Sequence, residues 1–164
     1  MTDMTANHAF VGLGSNLDDP ASQLERAIAA LADVPQTNIA RVSSVYRSAP
    51  FGPVEQPDFL NAVVQLETRL EARSLLRQLL DIEQQQGRTR GERWGPRTID
   101  LDLLVHGDTS SDTPELRLPH PGIALRNFVL LPLQEIAPDL VVQGLGRIAD
   151  IVVSTTEPRI ARVD

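Results

Sequence analysis

The chain has 164 residues, 41% of them hydrophobic and 23% charged, with a net charge of −7 and no cysteine. That length supports one domain around one core, and the missing cysteines exclude disulfides, thiolate zinc sites and thiol nucleophiles. The acidic balance argues against general nucleic-acid or membrane-surface binding, which needs a basic face.

The first ten residues, MTDMTANHAF, lack the basic start and apolar run of a signal peptide. No apolar run reaches the roughly 18 residues that a membrane span needs, so a cytoplasmic location fits. All 15 Lys-or-Arg positions are arginine. A Walker phosphate loop, a kinase strand lysine and a lysine Schiff base are therefore impossible. Any bound phosphate must be held by guanidinium forks and metal ions.

In chain order, 8–14 (HAFVGLG) is an apolar run that predicts a buried strand. Gly12 and Gly14 lack the third glycine of a dinucleotide fingerprint, residue 17 being leucine, so a tight strand-to-helix turn is the expected use. Asp19 and Pro20 supply an N-cap and a first-turn proline. Leu24, Ala27, Ile28 and Leu31 then recur at helical spacing over 20–32. Residues 38–46 alternate as a strand, and 59–70 predict an antiparallel partner. Between them, 48–58 (SAPFGPVEQPD) contains three prolines and a glycine, which predicts a functional loop. Leu75, Leu76, Leu79 and Leu80 mark a second helix over 71–86, with Gly87 as its C-terminal cap. Glu83 lies near that stripe, either at its solvent edge or facing the arginine-rich loop that follows.

A strand over 98–106 comes next, then a polar turn over 108–114 and a short helix within 123–136 carrying Arg126. The termini, 1–7 and 153–164, are polar and are expected to be flexible. The order β-α-β-β-α-β with extra C-terminal elements is that of a ferredoxin-like α+β sandwich, with an antiparallel sheet and both helices on one face.

Residues 87–102 (GRTRGERWGPRTIDLD) concentrate the chemistry. On a strand Asp100 and Asp102 share one face, while Ile99, Leu101 and Leu103 take the other. Two carboxylates about 6–7 Å apart can bridge hard cations, although the alternation also fits a solvated sheet face. The adjacent Arg88, Arg90, Arg93 and Arg97 tip the balance towards a phosphate-and-metal site, because guanidinium forks match phosphate oxygens. Trp94 is either a lid that excludes water or an anchor for its loop. His120, between two prolines, is either a phosphate donor or a surface histidine. Phe59 and Phe128 are either core residues or two sides of a slot for a flat heterocycle, with Asn61 reading its edge.

Six motifs run in order: GLGSNL at 12–17; the 48–58 loop leading into Phe59-Leu60-Asn61; QQGRTR at 85–90; ERWGPRTIDLDLL at 92–104; LPHP at 118–121; and Arg126-Asn127-Phe128. Through these the chain resembles, over nearly its whole length, the 6-hydroxymethyl-7,8-dihydropterin pyrophosphokinase family of folate biosynthesis. The resemblance implies magnesium-dependent transfer of pyrophosphate from ATP to the pterin hydroxymethyl group, leaving AMP. It implies a monomer that takes ATP and the pterin, with no nucleic-acid or membrane partner. Asp100 and Asp102 would hold two magnesium ions. Arg88 and Arg90 would sit on a mobile catalytic loop, with Trp94 and Arg97 closing over the substrates. Glu83 would face the site. His120 and Arg126 would meet the ATP phosphates, and Leu103 and Arg117 would offer backbone groups to adenine. The pterin would stack between Phe59 and Phe128, with Asn61 and the Ser48, Ala49 and Phe51 region reading its polar edge. Phenylalanine at 59 keeps the stack without the hydroxyl of the tyrosine often found there, arginine replaces a common threonine at 117, and the Arg90–Trp94 loop is one residue shorter than in the enterobacterial form.

Overall fold

The computed structural model describes residues 6–50, 55–87 and 98–163. In order these form β1 (Asn7–Ser15), α1 (Pro20–Ala32), β2 (Thr37–Val42), β3 (Tyr46–Ser48), β4 (Phe59–Thr68), α2 (Ala72–Gln85), β5 (Asp100–His106), β6 (Ser111–Asp112), β7 (Arg117–Leu118), α3 (Asn127–Ile136), β8 (Val141–Val142), β9 (Gly146–Arg147) and β10 (Ile160–Arg162). An antiparallel sheet in the order β10-β3-β4-β1-β5, with β2 also on β4, forms the middle layer. No helix among the described residues is long and apolar enough to cross a membrane.

Alternation assigns the two faces of this sheet. Ala9, Val11 and Leu13 of β1 and Leu101 and Leu103 of β5 turn one way. They pack against Leu24, Ala27 and Leu31 of α1 and Leu75, Leu79 and Ile82 of α2. Each fully buried leucine here contributes about 1.5–3 kcal/mol relative to exposure. Phe10, Val63 and Leu104 turn the other way and are covered by Val129, Leu130 and Leu133 of α3. The two central helices thus share one face, as the element order predicts, and the C-terminal elements cover part of the other.

Helix boundaries follow local chemistry. Pro20 opens α1, and Asp19 receives the Ser22 hydroxyl at 2.9 Å on its carboxylate instead of capping a backbone N–H. Gly87, just past α2, adopts φ +80°, the left-handed conformation that glycine takes without a Cβ penalty. Arg126 precedes α3 as its N-cap and does not lie within it.

Other expectations change as well, and the polar turn expected over 108–114 contains β6. Gly12 and Gly14 lie inside β1, not in a turn, and each stands opposite an aspartate of β5. The single strand expected over 38–46 is two strands. Ser44 breaks the ladder because its N–H goes to Glu135 of α3, at 3.0 and 3.1 Å from the two carboxylate oxygens. The C-terminal stretch expected as frayed coil contributes β10, paired with β3 through Ile160↔Ser48 and Arg162↔Tyr46.

Glu135 also accepts the Tyr46 hydroxyl at 2.7 Å and the Ser44 hydroxyl at 3.0 Å. Burial, reinforced by this carboxylate, pushes the Tyr46 phenol up to about 12. Burial alone would raise the Glu135 carboxyl, but the bonds from Tyr46 and Ser44, with Arg162 nearby, hold it below the usual carboxylate range. The raised phenol contributes stability that is complete below about pH 10 and is lost as pH climbs towards 12. The depressed carboxyl contributes stability present above the unfolded carboxylate range and lost as acid protonates it. Tyr46→Phe should cost about 1 kcal/mol at neutral pH and flatten the alkaline fall in urea midpoint between pH 10 and 12, measured by urea titration across pH.

Candidate active site

The site lies on the α3 face of the sheet, beyond the end that α3 covers. Cross-strand partners share a face, so the row Asp100↔Gly14↔Asn61↔Tyr46 runs across β5, β1, β4 and β3, with Asp102↔Gly12 beside it. Strand spacing puts Asp100 and Asn61, two strands apart, about 10 Å from each other. Gly12 and Gly14 keep the floor between them free of side chains. A methyl on Gly14 would lie 3.3 Å from Oδ1 of Asn61 and 3.9 Å from Phe59.

On the Asn61 side, the amide is 3% exposed and donates from Nδ2 to Ser48 Oγ at 2.8 Å and to the Tyr46 carbonyl at 3.3 Å. These bonds fix which way the amide points and lock Ser48, itself buried, beside it. Phe59, opposite Ser48 in the ladder, is half-buried on the same face. Phe128 of α3 packs against the apolar cluster beneath that helix.

On the aspartate side, a bulge does the positioning. Strand β5 carries Leu104 as an extra residue between the pairs Val11↔Leu103 and Phe10↔Val105. The Leu104 carbonyl accepts the His120 N–H at 2.9 Å, which fastens the LPHP segment alongside β5. His120 Nδ1 accepts the Gly122 N–H at 2.9 Å, so the neutral ring carries its proton on Nε2. A Cβ on Gly122 would lie 2.9 Å from Nε of Arg126 and 3.1 Å from the His120 ring, so glycine permits this close packing. Arg126 reaches Asp102 at 3.9 Å, both side chains being about two-fifths exposed (40% and 44%). A pair this open and this long is weak, which leaves the guanidinium free to turn to another anion. Burial lowers the His120 imidazole below its ordinary value; Asp102 opposes that shift and Arg126 adds to it.

Glu83 is 7% exposed on α2, and its Oε2 accepts the Leu101 N–H at 2.7 Å. It therefore holds the outer edge of β5 in register. Leu103 is buried, two residues further on. Arg117 is 60% exposed and turns to Asp112 at 3.9 Å, across the β6–β7 ladder. The structure thus brings Asp100, Asp102, His120 and Arg126 together, and Ser48, Asn61 and Phe59 on the same sheet face; the Arg117 guanidinium faces elsewhere. Ala49 follows Ser48 and donates its N–H to the Arg159 carbonyl at 2.9 Å. Phe51, Arg88, Arg90, Arg93, Trp94 and Arg97 lie outside the described residues.

Two residues without a sequence-assigned role also organise the site. Asn16, 2% exposed, donates to Gln56 Oε1 at 2.8 Å and to the Pro57 carbonyl at 2.9 Å, which ties the loop before Phe59 to the end of β1. Asn127, 5% exposed, donates to the carbonyls of Ser154 at 2.8 Å and Pro158 at 2.7 Å. Both stand inside recognisable motifs with partners distant in sequence: those of Asn16 lie in the 48–58 loop, and those of Asn127 lie in a stretch with no motif.

The sequence model of the 7,8-dihydro-6-hydroxymethylpterin-pyrophosphokinase (HPPK) family matches residues 10–138. The chain is 44% identical over 144 residues to a 2-amino-4-hydroxy-6-hydroxymethyldihydropteridine pyrophosphokinase of Haemophilus influenzae, covering 88% of this chain and 90% of that one. It is 50% identical over 139 residues to the protein of the same name from Synechocystis, covering 85% and 71%. A crystal structure of an HPPK-DHPS in complex with substrates shares the fold at a TM-score of 0.68 and 13% identity, covering 90% of this chain. This chain spans 43% of that longer protein. The chain belongs to the 7,8-dihydro-6-hydroxymethylpterin-pyrophosphokinase family.

Proposed function

We propose that this face of the sheet transfers pyrophosphate from ATP to the hydroxymethyl group of 6-hydroxymethyl-7,8-dihydropterin, releasing AMP, as a step of folate biosynthesis. The observation that carries the reading is the cross-strand row that joins Asp100, with Asp102 in the row beside it, to a buried, oriented amide over a floor of glycine. One end suits a metal-bound polyphosphate and the other a flat heterocycle with a polar edge. We also read the β5-β1-β4-β3 order, with α1 and α2 on one face, as a ferredoxin-like sandwich to which α3 and the C-terminal strands are added.

Each residue has a chemical task. Asn61 and Ser48 read the polar edge of the pterin through directed hydrogen bonds, with Ala49 and Phe51 contributing beside them. Phe59 and Phe128 stack on its faces. His120, neutral and carrying Nε2–H, donates to a phosphate oxygen. Arg126 exchanges its weak pairing with Asp102 for charge-assisted bonds to phosphate. Leu103 offers adenine its backbone on the outer edge of β5, the edge on which Leu101 meets Glu83, because residues two apart on a strand direct their backbone groups the same way; Arg117 offers backbone from β7. Glu83 keeps that edge in register. Arg88, Arg90, Trp94 and Arg97 are assigned on motif: the arginines bind the phosphates and the indole closes over both substrates.

The donor set fits magnesium. No group of three or more His, Cys, Asp or Glu residues among the described residues could enclose a metal ion. Two half-exposed carboxylates on one strand face suit an ion that takes one or two protein carboxylates and completes its shell with phosphate oxygens and water. Asp100 and Asp102 would hold two such ions, which when bound neutralise polyphosphate charge.

Incubating the chain with ATP, the pterin and magnesium should yield AMP and pyrophosphorylated pterin, resolved by chromatography; ADP as the nucleotide product would overturn the reading. Asp102→Asn should lower turnover by roughly a thousand-fold, the scale expected when several kcal/mol of metal-assisted stabilisation are lost, with an unchanged circular dichroism spectrum. Gly14→Ala should raise KM for the pterin by about tenfold, because the added methyl crowds the Asn61 carbonyl oxygen, and should leave KM for ATP within about twofold. Steady-state titration of each substrate checks the split.

A further inference from the structure

We propose that residues 154–162 act as a strap that sets the spacing of the two walls of the pterin site, with Asn127 as its positioning residue. The proposal rests on the pyrophosphokinase reading and goes beyond it, since the strap lies outside the residues 10–138 matched by the family model.

The strap is tied to both walls. At one end Asn127, the first residue of α3, donates both of its amide hydrogens into it, to the Ser154 and Pro158 carbonyls. Asn127 stands between Arg126 and Phe128, so these bonds fix the backbone from which a phosphate-binding group and a stacking ring project. Its Oδ1 is buried without a hydrogen-bond partner among the described residues, so the side chain acts here as a donor only. At the other end the Arg159 carbonyl accepts the Ala49 N–H, and Ile160 pairs with Ser48. Those are the residues that read the pterin edge. The Arg159 guanidinium also lies 3.6 Å from Asp58, beside Phe59.

Between its anchors the strap is preshaped. Ser154 Oγ accepts the N–H groups of Thr156 and Glu157 at 3.3 and 3.2 Å, and Ile160 N–H returns to the Thr155 carbonyl at 3.2 Å. A turn closed on itself transmits position from one wall to the other better than a slack chain of equal length. Both ends act on the pterin walls; the Asn127 end also carries Arg126, 3.9 Å from Asp102, whereas the β10 end carries no phosphate-binding residue, so pterin-selective control is expected at the β10 end.

Two substitutions in the full-length chain test this from opposite ends. Asn127→Asp replaces the donor with a carboxylate facing two carbonyl oxygens. Ala161→Pro acts on exposed β10 without touching α3. The bonds Ala49 N–H to Arg159 and Val163 N–H to Val45 flank the Arg47↔Ala161 pair, making it a hydrogen-bonded pair, and proline removes its donor. In an AMP-release assay each variant should raise KM for the pterin by about tenfold; Ala161→Pro should keep KM for ATP within about twofold and kcat within about threefold of wild type, whereas Asn127→Asp, which also displaces Arg126, should raise KM for ATP as well. In Ala161→Pro, general loosening of the fold would instead raise both Michaelis constants together, and that result overturns the proposal. So does an unchanged pterin KM in a variant with the wild-type circular dichroism spectrum. If Asn127→Asp fails to fold, the substrate split in Ala161→Pro decides the matter. A wild-type chain that releases no AMP overturns the parent reading and the strap with it, whereas an active wild type with insensitive variants overturns the strap alone.

Discussion

The arrangement depends on the register of β5. Leu101 and Leu103 bury themselves against the α1–α2 layer, and strand geometry then obliges Asp100 and Asp102 to face the other side. A slip of one residue would exchange them, driving two carboxylates into the apolar layer and two leucines into the site. The ladder to β1 and the Glu83 carboxylate on the Leu101 N–H hold the register from both edges of the strand. Burying Glu83 is worthwhile because its charge meets a backbone donor that would otherwise be left unpaired at the sheet edge.

From that register the site divides the α3 face between two environments. Under α3, Phe10, Val63 and Leu104 make an apolar layer. One step further along the same strands, glycine, asparagine and aspartate replace them. The change of character runs along β1, β4 and β5 together, so a dry layer meets a polar floor along one line. Asn61 and Ser48, 3% and 2% exposed, satisfy each other at that line, so the fold itself fixes their orientation.

How far this was legible in the sequence depends on the range of the forces involved. The alternation of Asp100 and Asp102 with leucines is a local signal, and the residues face as it predicts. The stripe of α2 and the cap at Gly87 are local too, although Leu80 of the expected stripe is exposed and Ile82 is buried in its place. The break between β2 and β3 was not legible, because nothing near Ser44 announces that its N–H partner is Glu135, 91 residues away. The strand at 160–162 was hidden for the same reason, its pairing partner lying over a hundred residues earlier. Gly12 and Gly14 were legible as glycines needed for their backbone but not for the correct purpose. A turn and an open floor between aspartates and asparagine both call for a missing Cβ, and only the assembled sheet distinguishes them. The roles of the arginines at 88, 90 and 97 and of Trp94 rest on motif, since these residues lie outside the described structure.

The placement of β5 at the end of the sheet has a colloidal consequence. A terminal strand exposes backbone groups that can template pairing with another chain. Here the Leu101 N–H is taken by Glu83 and the Leu104 carbonyl by His120, so the strand that carries the carboxylates offers a poor seam for a neighbour. The opposite margin is shared by β10, three residues long, and β2, six residues long and paired with β4 alone among the described strands. The contacts that hold β5 in place therefore also blunt this edge of the sheet against edge-to-edge pairing.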